Sequence, residues 1–298
     1  MPKPKPAAHD DAPHFGVLEQ AILGAAGFEA FHESAQSQAL LAGILDQAQD
    51  AEVVSFDVFD TVLWRDGKSE LERFHDVATR FAAQLSGDAA PSARACLTAR
   101  LTCASHAYQL SEMVEHTTEG RLSDIALNMM HALRLEGERK QWAEKWCETE
   151  IEIETEQLRI APFIDDLIDR LVDMDKQVIF VSDMYLQADQ IQTLLENCGC
   201  DMSRVAHLVS TADTRINKRS GTIFPYLSKM MDVAPEEFLH MGDSLTSDFR
   251  KPIEAGWAAR YLPVPRKILQ ERRDSHFKTI ETVFGQRKLP LPMSVPTV

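Results

Sequence analysis

From residue 163 to residue 262 the chain alternates short apolar runs with stretches of helical spacing, and no other feature constrains its fold as much. The runs Gln177-Val178-Ile179-Phe180-Val181-Ser182, His207-Leu208-Val209-Ser210, Phe238-Leu239-His240-Met241 and Ala258-Ala259-Arg260-Tyr261-Leu262 read as strands, the first a buried one. Between them the spacing predicts helices over 187–197, stopped near Gly199, over 221–231 and over 246–255. Another helix is predicted from Phe163 to Met174, with Pro162 in its first turn. Strands that alternate with helices of this length imply βαβ crossovers and a parallel sheet.

A further strand lies upstream. Residues 52–63, Glu52-Val53-Val54-Ser55-Phe56-Asp57-Val58-Phe59-Asp60-Thr61-Val62-Leu63, form an apolar run that ends in a carboxylate, with a second acid and a threonine close behind. In an open α/β sheet, ligands and reactive groups collect at the carboxyl ends of strands, so Asp57 is expected at such a tip. Between about 68 and 160 the pattern is helical. The alternation from Glu148 to Glu156 fits a strand, but Trp142, Trp146, Ile153 and Ile160 keep helical spacing and glutamate favours helix, so the stretch is read as the block's last helix. One strand therefore precedes the helical block and the others follow it. The block is an insertion just past the first strand tip, where a lid would sit.

The expected organisation is a disordered tail over 1–14, a helical segment over 15–50, and a Rossmann-like α/β core over 51–66 and 160–265. An all-helical cap covers 67–159, and an arm or tail covers 266–298. A net charge of −15 speaks against nucleic acid or an anionic membrane as partner. No uncharged apolar run approaches the ~20 residues that span a bilayer, and the Pro-rich start has no apolar stretch behind it to make a secretory signal. Five cysteines, with Cys198 and Cys200 too close for a zinc knuckle, fit reduced thiols and a cytoplasmic location.

Four features fall at successive strand ends: Asp57 with Thr61, Ser182 with Asp183, Lys218 in a loop before a helix, and Gly242-Asp243 with Asp248. Singly each is commonplace. As an ordered set they are what phosphoryl transfer needs. A carboxylate attacks phosphorus, a hard cation such as Mg²⁺ takes carboxylate oxygens, a hydroxyl donates to the phosphoryl group, and an ammonium gathers the crowded anions.

On these residues the chain resembles the haloacid dehalogenase superfamily, whose members are mostly Mg²⁺-dependent phosphatases. Asp57 with Thr61 is similar to its first motif, Ser182 to its second, Lys218 to its third, and Gly242-Asp243 with Asp248 to its acidic fourth. The resemblance covers about 50–66 and 160–262, and the insertion falls where the family carries a helical cap. It implies hydrolysis of small phosphoesters, sugar phosphates or nucleotide-like, through an aspartyl phosphate on Asp57. Thr61, Ser182, Asp183 and Lys218 would hold the phosphate. Asp57, the backbone carbonyl of Phe59, Asp243 and Asp248 would hold Mg²⁺. The stretches Ser55 to Thr61 and Val181 to Leu186 further resemble a bacterial subgroup encoded near or fused to glycosyltransferases, which implies a glycosyltransferase or polysaccharide-assembly partner.

One position breaks the pattern. The family's phosphatases place a second aspartate two residues after the nucleophile as general acid and base, and this chain has Phe59 there. General acid–base catalysis contributes ~10²–10⁴-fold. Either Asp60 takes over the proton chemistry, or Asp183 supplies it from the neighbouring strand end, or the bond cleaved is not a phosphoester. Dehalogenases and phosphonate hydrolases of the family also lack that acid, but the former need no metal and the latter use a cap lysine, for which Lys140 and Lys145 are the positions available. The alternative to an enzyme is a degenerate relative that binds a phosphorylated ligand or partner.

Overall fold

The structure is a computed structural model that describes residues 16–87, 90–135 and 138–285. The tail expected over 1–14 and the far end of the arm, 286–298, lie outside the described residues. Three helices, α1 (Val17–Gly24), α2 (Phe28–His32) and α3 (Ala35–Ala48), lead to strand β1 (Val53–Phe56). A short strand β2 (Leu63–Arg65) follows its tip. Helices α4 (Glu70–Ala82), α5 (Ala93–Leu110), α6 (Leu122–Ala132) and α7 (Arg139–Gln157) form the insertion, and β3 (Leu158–Ile160) brings the chain back. Then follow α8 (Pro162–Asp173), β4 (Gln177–Ser182), α9 (Ala188–Asn197), β5 (His207–Ser210), the single turn α10 (Thr211–Thr214) and α11 (Ile223–Met231). Strand β6 (Phe238–Gly242), α12 (Lys251–Glu254), β7 (Ala258–Tyr261) and α13 (Arg266–Phe284) complete the order.

Among the described residues the main sheet has five parallel strands in the order β5-β4-β1-β6-β7. Its central strand is therefore the first in sequence, and every residue of β1 is buried. Alternate side chains serve two cores, as a strand covered on both faces requires. Val53, Ile179, Val181 and Phe238 pack with Ile223, Phe224 and Leu227 of α11 and with Trp257. Val54, Phe56, Val178, Phe180 and Leu239 join α3, α8 and the insertion on the other face. The insertion's helices pack on one another around Trp146, whose indole lies 5.0 Å from the Phe81 ring. Within it Arg100 and Glu150 form a fully buried ion pair at 2.7 Å.

The predicted core strands and the helical insertion are present. Four features refine or depart from the expectations. A small antiparallel ribbon pairs β2 with β3 where the chain leaves and re-enters the core; three-residue, half-exposed strands carry no readable alternation. The 15–50 helical segment is divided at Gly27 and Ser34, each of which stands in extended backbone ahead of a new helix. The helix expected over 246–255 begins as a wide π turn, Leu245–Arg250. Finally, the chain beyond 265 is not a loose arm over its described part. It is the helix α13, which buries Ile268, Thr279, Ile280 and Phe284. Among the described residues no helix is long and apolar enough to cross a membrane.

Candidate active site

Asp57 follows the last residue of β1, and its amide donates to Met241 O at 2.8 Å, extending the β1–β6 register by one step. That places the carboxylate in the middle of the sheet's carboxyl edge. Lys218, in the loop between α10 and α11, is buried, and its ammonium donates to Asp57 Oδ1 and, at 2.6 Å, to Asp248 Oδ1. The π turn after β6 returns Asp248 to the strand end, where the Ser244 amide donates to its Oδ2 at 3.0 Å. Oxygens of Asp57, Asp243 and Asp248 lie within 4.8 Å of one another. The folded chain therefore brings together three of the four predicted strand-end features around one point.

Behind this cluster lies a residue that the motif reading missed. His240, fully buried in β6, sits 3.0 Å through Nε2 from Asp248 Oδ1, while its Nδ1 lies 2.9 Å from Ser55 Oγ on β1. A histidine inside an otherwise apolar strand, separated by Met241 alone from Gly242-Asp243, was the available signal. It orients Asp248 from below, as outer partners orient ligating carboxylates in metal sites.

The electrostatics show an excess of negative charge. Burial and the neighbouring Asp248 push the Asp57 carboxyl up to about 7, against the pull of Lys218. Burial, Asp57, Asp60 and Asp248 hold Asp243 well above the usual carboxylate range. Burial works against the ionised form of Asp248, but Lys218 and His240 hold that carboxyl low. Burial would lower the Lys218 ammonium, yet Asp248, Asp57 and Asp183 keep it charged. Burial, with a smaller push from Lys218, lowers the His240 imidazole against the pull of Asp248. Three carboxylates facing one ammonium are what a hard divalent cation resolves, so the residues present fit Mg²⁺.

Two hydroxyls near the strand ends stand unpaired: Ser182 closes β4, the strand beside β1, and Thr61 lies in the turn after Asp57. Ser182 Oγ and Thr61 Oγ1 are buried and, among the described residues, have no hydrogen-bond partner. A buried donor without an acceptor costs about 1–3 kcal/mol, and a phosphoryl group beside Asp57 would satisfy both. Asp183 is half-buried, accepts from Thr211 Oγ1 at 3.2 Å and lies within electrostatic reach of Lys218. Phe59 is buried, with the Arg65 guanidinium 4.2 Å from its ring centroid. Lys140 and Lys145 lie on α7 beside Glu144 and Glu148 at the surface, which leaves them as solvated helix residues.

Asp60, expected to move protons, is engaged in an ion pair that disfavours that role. Both its oxygens accept from Arg272 of α13, each at 2.7 Å. Burial alone would raise its carboxyl, but Arg272 and Arg65 hold it below the usual range. A carboxylate gripped by a guanidinium and kept ionised is a poor acid and a weak base. Arg272 is distant in sequence and gave no local signal.

The insertion reaches this edge through the loop between α5 and α6. Leu122 N donates to Tyr185 O at 2.8 Å, and Arg121 Nε to Ala212 O at 2.9 Å. Buried Glu119 accepts from Asn217 Nδ2 at 2.6 Å, one residue before Lys218. The insertion thus lies closed over the strand ends.

No protein-family model matches this chain, and no curated protein does. Solved structures do. A 2-haloacid dehalogenase from Pseudomonas syringae pv. Tomato is 17% identical, covering 71% of this chain and 86% of that one, with a TM-score of 0.50. The putative HAD-hydrolase YfnB from Bacillus subtilis, bound to magnesium, is 18% identical over 76% of this chain and 99% of its own, with a TM-score of 0.45. A HAD family enzyme from Bacteroides thetaiotaomicron, in complex with magnesium and inorganic phosphate, is 11% identical over 71% and 93%, with a TM-score of 0.46. With the sheet order and inserted helices above, the likeness to the dehalogenase establishes that this chain has the haloacid dehalogenase fold.

Proposed function

We propose that the protein hydrolyses small phosphoesters through an aspartyl phosphate on Asp57, with Mg²⁺ as cofactor. The observation that carries this reading is the convergence of Asp57, Asp243 and Asp248 on one point beside Lys218. Asp57, Asp243 and Asp248 would hold the cation, which supplies charge neutralisation that lets a carboxylate approach a phosphate dianion. Asp57 attacks phosphorus, the phosphorus–oxygen bond to the leaving group breaks, and an acyl phosphate forms. Thr61 and Ser182 donate to the phosphoryl oxygens, and Lys218 offsets the charge that develops on them. Water then attacks the same phosphorus, the bond to Asp57 breaks and restores the carboxylate, and the water's protons leave on the released phosphate. The closed insertion keeps bulk water and large substrates away.

With Phe59 unable to move a proton and Asp60 held by Arg272, leaving groups that depart as stable anions are favoured. Asp57 would also serve as nucleophile toward a 2-haloacid, and Phe59 suits that reaction. The acidic cluster favours phosphoryl transfer, because halide displacement needs no cation for Asp243 and Asp248 to hold.

The test uses p-nitrophenyl phosphate with Mg²⁺. Purified protein releases phosphate, Asp57→Asn abolishes the release, and 2-chloropropionate yields no chloride. If wild type and Asp57→Asn behave alike across a broad phosphoester panel, the proposal fails; chloride release from 2-chloropropionate would replace it with the dehalogenase reading.

A further inference from the structure

The Asp60–Arg272 pair is more than a surface ion pair. Every nitrogen of the Arg272 guanidinium is used: Nη1 and Nη2 grip the two Asp60 oxygens at 2.7 Å, Nη2 also donates to Arg65 O at 3.0 Å, and Nε donates to Asp66 O at 3.0 Å. A planar fork meets a carboxylate in this way, and a lysine could not reproduce it. Asp60 itself has a φ of 61°, in the left-handed region that side chains with a Cβ avoid. Around it the chain turns sharply: the Val62 and Leu63 amides both donate to Val58 O at 2.8 Å, and the Asp60 amide to Leu63 O at 2.8 Å. This turn separates Asp57 from Thr61, the two residues that must face one phosphoryl group. The helix bearing Arg272 is itself fixed, through buried Ile268, Ile280 and Phe284 and through Ser275, which accepts from the Ser69 amide at 2.9 Å.

We propose that Arg272 is a positioning residue for the nucleophile loop, holding residues 57–61 in their working shape through the Asp60 carboxylate. The role takes Asp57 as nucleophile and so rests on the function proposed above. The C-terminal helix, which lies outside the motif-bearing segments, thereby becomes part of the catalytic apparatus without touching the substrate.

The test compares Arg272→Ala, Arg272→Lys and Asp60→Gly in the full chain by phosphate release from p-nitrophenyl phosphate with Mg²⁺ and by amide exchange over residues 57–63. Misplacement of reacting groups by an ångström costs up to about 10²-fold, so kcat falls by roughly 10–100-fold in each variant while KM moves little. Asp60→Gly is the sharp case. It frees the backbone of a disfavoured conformation, so it would match or exceed wild type if conformation alone mattered; the clamp predicts a loss close to that of Arg272→Ala. Guanidinium ion at non-denaturing concentration restores part of the kcat of Arg272→Ala, and ammonium ion does not. Amide exchange over 57–63 quickens in Arg272→Ala and Arg272→Lys while the amides of β4 and β5 stay protected. Should Arg272→Ala fail to fold, Arg272→Lys and Asp60→Gly decide the matter. Should wild type turn over no phosphoester, the proposed function falls and exchange alone judges the clamp. Unchanged exchange and unchanged kcat in the folded variants overturn it.

Discussion

Gly242 is kept small by its neighbour and not by its backbone. A Cβ there would lie 2.5 Å from Asp248 Cγ and 2.6 Å from its Cβ, so the π turn can return Asp248 to the strand end only over a glycine. Gly242→Ala must displace Asp248 from Lys218 and from the cluster. Phosphate release should drop about 10–100-fold, whereas Gly24→Ala, with nothing within 4 Å of the new methyl, should leave it unchanged. At this scale much was legible. Asp57, Lys218, Asp243 and Asp248 were readable because acids and a lysine at strand ends are conspicuous against apolar runs. His240 was visible in β6 without a motif to mark it, and the pairing of Asp60 was not legible because its partner Arg272 lies on α13, distant in sequence.

Among the elements, the loop between α5 and α6 decides how the insertion rests on the sheet. Its Glu119 is buried against Asn217, with Asp183 and Arg219 near enough to act on its charge, and burial followed by Asp183 pushes its carboxyl up to about 7. In the unfolded chain the group ionises near 4.5. The folded state therefore binds its proton more tightly, and the stability linked to that proton is whole below about pH 4.5 and lost as pH rises toward 7. Glu119→Gln removes the dependence. Urea unfolding between those limits should show the variant gaining on wild type with rising pH, by up to about 3 kcal/mol at the top of the range. A difference that stays constant with pH would show that Glu119 does not titrate there. Helix α7 was readable despite its strand-like alternation, since glutamate and the spacing of Trp142, Trp146 and Ile153 outweighed a period of two. The β2–β3 ribbon was not, because strands so short are made by pairing and not by their own composition.

The whole molecule gathers the groups of the candidate site from separate segments and closes them under an insertion. A cation bound by the native cluster and not by the unfolded chain should stabilise the fold as a unit, by about 2.7 kcal/mol at a hundredfold excess over Kd. Thermal unfolding should accordingly shift upward with Mg²⁺ and return with EDTA. Asp248→Asn should lose the shift, and a shift that survives would place the ion elsewhere. The sequence by itself determined the parallel sheet, the inserted helices and the strand-end residues, because apolar periodicity and side-chain chemistry are local properties written along the chain. Only the tertiary structure decided which of those residues face one another. It set Lys218 between Asp57 and Asp248, left the Ser182 and Thr61 hydroxyls without a partner among the described residues, and gave Asp60 to a helix that had read as a tail. Such pairings depend on long-range packing and on competition for partners, neither of which is encoded in the spacing around a single residue.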